Sequence, residues 1–107
     1  MRGILFDVNK ATINGESMGT INEIVKMMKK HTDLNFRIEG HTDSDGDESF
    51  NQNLSVDRAA AVKSMLVEMG IASSRLESKG WGESKPVSEN STPEGKANNR
   101  RVEFIKI

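Results

Sequence analysis

The residue that fits worst into its surroundings is Arg58. Phe50, Leu54, Arg58 and Val62 are spaced four apart, so on a helix they form one row, and Arg58 interrupts an apolar one. A guanidinium placed there must snorkel out to solvent or meet a partner. Asn51 lies seven residues before Arg58, nearly on the same line of the helix and about two turns away. Asp43 stands just ahead of that helix, where a strand-like segment gives way to a polar loop. In parallel α/β architectures, ligands bind at the carboxyl ends of strands, where loops diverge. Asp43 and Arg58 could then flank one cleft, kept apart by the loop. Such a cleft would take a zwitterion, its ammonium on Asp43 and its carboxylate on the planar fork of Arg58. The same two residues fit a structural ion pair or two separately solvated charges equally well. Spacing leaves that choice open.

Other chemistries fit less well. The acidic loop Asp43-Ser44-Asp45-Gly46-Asp47-Glu48 invites a calcium reading. Counted from Asp43, however, position 6 is Glu48 where glycine is needed, and position 12 is Leu54 where an acid is needed. A weaker cation site on that loop stays open, and its plainer reading is a solvated acidic turn. His41 and Asp43 could act as base and orienter for Ser44 or Ser55, but neither serine sits in a nucleophile-elbow sequence. No HExxH motif is present, so no metal site is expected. His41 reads as a hydrogen-bonded structural residue next to a tight Gly40 turn. Trp81, between two glycines, could stack on a sugar ring. A lone Trp at a strand end more often closes a core with its N–H bonded. Met27, Met28, Met65 and Met69 fall at helical spacing and read as core or helix-face residues.

These residues need elements to hold them. Gly3 to Phe6 is an apolar run suited to a first strand. From about Ser17 to Lys30, Ile21, Ile24, Val25 and Met28 recur at helical spacing with lysines off that face. Leu34, Phe36 and Ile38 alternate with Asn35, Arg37 and Glu39, the period-two mark of a half-buried strand leading into Gly40-His41-Thr42-Asp43. Ser49 and Gln52 have capping-box spacing, so a second helix is expected over about Phe50–Met69, stopped by Gly70. Its inner stripe would be Phe50, Leu54, Val62, Met65, Leu66 and Met69. Leu76 to Trp81 reads as a third strand, Pro93 to Asn98 as a short helix and Arg101 to Ile107 as a last strand. The order predicts a two-layer α/β fold: a β-α-β-α-β core, then a short helix and final strand. The sheet is expected to be mixed, with the helices packed on it and some neighbours joined by right-handed parallel crossovers.

The bulk numbers exclude several function classes. A chain of 107 residues matches one domain, and no stretch reads as a linker between two cores. A net charge of −1 with mixed signs gives no excess of Lys and Arg to neutralise phosphates, so no nucleic-acid partner is expected. Cysteine is absent, removing disulfides and thiol chemistry. No apolar run reaches the roughly 18 residues that a bilayer span needs, so direct membrane insertion by this segment is not expected. The opening lacks a signal-peptide apolar region. The abrupt start with a strand suggests a single domain, residues 1–107, excised from a longer protein.

One pattern gathers these residues. Gly40-His41-Thr42-Asp43-Ser44, then Asn51, Leu54-Ser55, Arg58-Ala59 and Val62, then Gly80-Trp81-Gly82-Glu83 with Pro86, and last Asn99-Arg100-Arg101-Val102-Glu103 together resemble the OmpA-like C-terminal domain family. The resemblance runs from Phe6-Asp7 to Phe104. It implies a non-catalytic domain without a cofactor that binds peptidoglycan noncovalently, through diaminopimelate in the stem peptide, and so ties an envelope protein or the outer membrane to the wall. It further implies a periplasmic domain of an outer-membrane-attached protein. The family's principal contacts fall on Asp43 and Arg58, and its supporting ones on Asn9, Thr42, Asn51, Leu54 and Arg100. Arg101 is as well read as structural. The loop 43–48 is more acidic than the family pattern, which should favour an ammonium and disfavour a free carboxylate. The rival reading is a structural or protein-interaction domain that does not bind the wall, with a hydrolase a distant third.

Overall fold

The computed structural model describes residues 4–6, 11, 13, 15–87 and 89–107, with only the backbone of Leu5 and Glu16. Asn9 lies outside the described residues. Among the described residues the strands and α-helices follow in the expected order: β1 (Ile4–Leu5), α1 (Met18–Lys30), β2 (Phe36–Gly40), α2 (Glu48–Glu68), β3 (Leu76–Gly80), α3 (Pro93–Asn99) and β4 (Arg101–Lys106). The sheet runs β1-β4-β2-β3. β2 and β3 are parallel, and β4 is antiparallel to both β1 and β2. The sheet is therefore mixed. β1 and β2 run the same way but do not touch, because the last strand inserts between them.

α1 buries Ile21, Ile24, Val25 and Met28, the stripe its periodicity predicts. They meet Phe36, Ile38, Val62, Leu66, Leu76 and Val102 in one core, with Met27, Met65 and Met69 packed at its margin. The other face of the sheet is charged. Glu39 and Glu103 are direct cross-strand partners, a like-charge pair that would be unfavourable alone. Arg37 bonds Glu39 at 2.7 Å and Arg101 bonds Glu103, so each carboxylate carries its own guanidinium.

α2 differs from expectation at its start. Asp47, not Ser49, is the N-cap: its backbone is extended and its carboxylate accepts the Phe50 N–H at 3.2 Å. Phe50 is 47% exposed and not part of the inner stripe. The reason is geometric. At 3.6 residues per turn, each four-residue step rotates about 40° around the helix, so a row that faces the core at Arg58 and Val62 has turned away by Phe50.

Gly40 makes no tight turn. It ends β2 in register with Gly80 of β3, and both let α2 lie close against the sheet. A Cβ on Gly40 would stand 2.0 Å from the Ser55 carbonyl oxygen, and one on Gly80 would stand 2.5 Å from the Ser55 hydroxyl. Bare backbone at these two positions lowers Ser55 onto the strands and carries Arg58, one turn later, into the interior. Gly40→Ala meets backbone, which cannot swing aside, and should destabilise the domain by about 3 kcal/mol. Urea unfolding checks this, and a loss under about 1 kcal/mol would mean that the helix relaxes away at little cost.

Candidate functional site

β2 does not stop at a loop in solvent. The chain continues inward through His41, Thr42 and Asp43, all buried. The His41 N–H donates to the Arg101 carbonyl at 2.8 Å and the Thr42 N–H to the Gly82 carbonyl at 2.9 Å. The segment is thus laced between the start of β4 and the turn after β3, at the carboxyl ends of the parallel strands.

Arg58 is fully buried. Its Nη1 donates to the His41 carbonyl at 2.9 Å, and its guanidinium carbon lies 5.2 Å from the centroid of the Phe6 ring. Burial pushes its pKa down to about 10, the nearby Asp43 carboxylate works against that fall, and Arg100 adds to it. Arg58 therefore stays a cation at neutral pH, in the field of Asp43.

Asp43 does not wait open. Its Oδ2 pairs with Arg100 Nη1 at 3.0 Å, and its Oδ1 accepts the Asp45 N–H at 3.0 Å. Arg100 is itself fixed, because its Nε donates to the Phe6 carbonyl at 3.0 Å. The Asn51 amide donates to the Asp45 carbonyl and to Glu83 Oε2, each at 2.9 Å. Thr42 bonds the Asp43 carbonyl through its hydroxyl. Leu54 is buried yet stands outside the main core cluster. The structure thus gathers Asp43, Arg100, Thr42, Asn51 and Arg58 around one turn. The strength of the Arg100 contact, the reach of Asn51 to Glu83 and the Phe6 ring are not readable from spacing.

The acidic loop is less free than its composition suggests. Asp43 is held by Arg100, Asp45 lies 3.3 Å from Lys96, and Asp47 caps α2. Among the described residues, no group of three or more His, Asp or Glu could hold a metal ion. Ser55, one of the two serines weighed as a nucleophile, is engaged on both sides. The Ser55 hydroxyl donates to the Gln52 carbonyl and accepts the Gly82 N–H, so it is already committed and far from acting as an activated nucleophile.

Two aromatic side chains depart from expectation. Neither ring nitrogen of buried His41 has a hydrogen-bond partner among the described residues, and its Nε2 lies 3.9 Å from Glu103. Trp81 is only half-buried and stands outside the core. Its N–H nears the Glu39 carboxylate without reaching hydrogen-bonding geometry. Beside it, a cavity of about 520 Å³ opens between the first turns of α2 and the turn Trp81–Ser84. Neither Asp43 nor Arg58 lines this cavity.

The profile of the OmpA family matches residues 5–100. The chain belongs to the OmpA family. Over 100 residues this OmpA-family domain is 42% identical to the outer membrane porin F of Pseudomonas fluorescens, covering 94% of the chain and 31% of that protein. It therefore spans about a third of that relative's length. Its fold superposes on the crystal structure of the peptidoglycan-associated lipoprotein from Burkholderia pseudomallei with a TM-score of 0.95, 25% identity and coverage of 100% of this chain and 91% of that one. The cell wall anchor of the T6SS from Pseudomonas aeruginosa matches with a TM-score of 0.79 and 28% identity, over 94% of this chain and 72% of that one. These structural neighbours bear the names of wall-associated proteins, not of enzymes. Among the described residues, no helix is long and apolar enough to cross a membrane.

His41 gives the OmpA-family domain an acid limit. Burial first, then the Arg101 charge, push its pKa down to about 4, against the opposing pull of Glu103 and Glu39. A histidine whose folded pKa is depressed contributes stability above its ordinary value of 6.5, and that contribution drains away as pH falls toward 4. Between those limits the domain should lose about 3 kcal/mol. His41→Leu should flatten this slope in urea unfolding measured from pH 7 to pH 4.5, and an unchanged slope would assign the acid sensitivity elsewhere.

Proposed function

We propose that this domain grips peptidoglycan noncovalently through the diaminopimelate of its stem peptide. Asp43 accepts the ammonium and Arg58 takes the adjoining carboxylate. Arg100, Thr42, Asn51 and Leu54 shape the surroundings, as does Asn9 by resemblance to the family pattern. In this reading residues 1–107 form one periplasmic domain of a longer envelope protein and tie it, or the outer membrane, to the wall. The domain performs no catalysis and needs no cofactor. The observation that carries the proposal is a fully buried Arg58 that remains cationic within the field of a nearly buried Asp43. The names of its relatives, a peptidoglycan-associated lipoprotein and a cell wall anchor among them, point the same way.

The Asp43–Arg100 pair favours the rival reading of a structural domain, because a satisfied carboxylate needs no guest. It does not exhaust Asp43. A carboxylate offers about four lone-pair sites, and Arg100 and the Asp45 N–H use two of them. An ammonium can take one of the remaining lone pairs without evicting Arg100. Arg100 then holds Asp43 in place, and the bound ammonium completes its coordination.

Charge-assisted hydrogen bonds contribute roughly 1.5–3 kcal/mol each, so a site of this kind holds one stem peptide only modestly. Many copies on one membrane would hold the wall by avidity and still let it be remodelled. Asp43→Asn keeps the shape and removes the charge, and should weaken binding about tenfold or more. The measurements are co-sedimentation with insoluble sacculi and calorimetric titration with free diaminopimelate, with circular dichroism to confirm folding. A folded parent protein that fails to bind sacculi would leave the structural reading standing, and a folded Asp43→Asn variant that binds like the parent would overturn the role given to Asp43.

A further inference from the structure

β3 is an edge strand, with β2 on one side and no strand beyond it among the described residues. The Trp81 N–H donates to the Gly40 carbonyl, and Gly40 stands in register with Gly80. Alternate residues of a strand direct their amide groups to opposite edges. Glu77 and Lys79 therefore bond β2, while Leu76, Ser78 and Gly80 face outward. Two of those outward groups are engaged locally. The Leu76 N–H donates to the Ser73 carbonyl, and the Gly80 carbonyl accepts Gln52 Nε2 at 2.8 Å. The Ser78 N–H and carbonyl, the Leu76 carbonyl and the Gly80 N–H are left without a bond among the described residues.

An unpaired edge invites any extended chain, and the side chains here decide which one fits. Glu77, Ser78 and Lys79 are all exposed. Arg37 is the neighbour of Glu77 in register, but that guanidinium is held by Glu39 at 2.7 Å. Glu77 and Lys79, two residues apart, stand on one face with opposite charges. A two-fold axis through Ser78 sets an inverted copy of the strand alongside. Glu77 then lies opposite Lys79 of the second copy, and Lys79 opposite its Glu77, in the pairs of an antiparallel ladder whose side chains come closest. The same axis exchanges two bonds between the Ser78 residues, and each Gly80 N–H meets the Leu76 carbonyl of the second copy. The Leu76 N–H and the Gly80 carbonyl, already engaged, fall opposite each other, so no free group meets an occupied one. Centring the axis on Glu77 or Lys79 would set a charge against its own copy.

α2 follows the same edge. A Cβ on Gly80 would stand 2.6 Å from Val56 Cγ2, which puts Val56 against the strand. Val56, Ala60 and Val67 share one flank of the helix, with half-buried Lys63 among them. All three are exposed, Val56 by 44% and Val67 by 40%. Paired strands lie about 4.8 Å apart, so the axis that joins the strands also brings these two flanks side by side. We infer that the β3 edge, with this flank of α2, is an interface for a second copy of this chain. It joins two four-stranded sheets into one continuous sheet. The two Asp43–Arg58 sites, at the carboxyl ends of oppositely running strands, then point to opposite ends of the pair.

Sedimentation equilibrium of the 107-residue chain from about 10 to about 500 μM tests this, with circular dichroism to confirm folding. The mass should rise with concentration from the 11.8 kDa of one chain toward twice that value. Glu77→Lys and Lys79→Glu should each weaken self-association about tenfold, because like charges then face each other twice. An equimolar mixture of these two variants, and a double variant carrying both changes, should restore association to within about threefold of the parent. Ser78→Pro deletes an outward N–H without touching the β2 ladder and should leave a folded monomer. A parent that keeps the mass of one chain throughout overturns the inference. So does a dimer that Glu77→Lys or a folded Ser78→Pro leaves unchanged, or one that the double charge swap does not rescue. None of these readouts depends on whether the domain binds the wall.

Discussion

A guanidinium with no solvent exposure is the constraint around which this domain is arranged. Removing a cation from water costs several kcal/mol even after relaxation, and burial is the main influence lowering the pKa of Arg58. Among the described residues, the Asp43 carboxylate offsets it through its field, the His41 carbonyl through a hydrogen bond, and Phe6 through its ring face. Each contributor is placed by a different part of the fold. The His41 carbonyl belongs to the extension of β2, Phe6 follows β1, and Arg58 reaches both because Gly40 and Gly80 let α2 lie against bare backbone. The buried charge explains why strands distant in sequence must converge here.

Arg100 gives the site a second tier. It binds the Phe6 carbonyl and Asp43 together, so it joins the end of β1 to the acidic turn and sets the position of the carboxylate before any guest arrives. Preorganisation of this kind cuts the ordering cost of binding. The acids of the turn, which in a bare count look like one negative patch, are distributed among Arg100, Lys96 and the first turn of α2. The field that a guest meets is therefore set by Arg58, Asp43 and Arg100, more than by the loop's composition.

Much of this was legible in the sequence, for physical reasons that also mark where legibility ends. The face of α1 follows from its period, and the parallel pairing of β2 with β3 is a permitted outcome of a helical crossover. That Asn51 and Arg58 share one side of α2 follows from their seven-residue spacing, and both are buried. Phe50 misled because the four-residue row drifts around the helix. Asp47 displaced Ser49 as the cap, since either type can fill that role and local sequence does not choose. The insertion of β4 between β1 and β2 is a long-range event without a local signature. His41 and Trp81 were expected to be hydrogen-bonded. Their partners would come from other strands, and the arrangement of the charged face, where Arg37 and Arg101 are already engaged by Glu39 and Glu103, leaves both without one among the described residues.

The central claim is that Arg58 is buried for a guest and not only for the fold. Its guanidinium resonances, followed by nuclear magnetic resonance during titration with free diaminopimelate, address this directly. The account predicts saturable shifts at the Arg58 side chain and at the Asp43 and Arg100 backbone, and no shift of the Arg58 side chain with the matching diamine that lacks carboxylates. Unmoved Arg58 resonances at concentrations where sacculi bind the domain would contradict it, and would place the wall contact elsewhere on the surface.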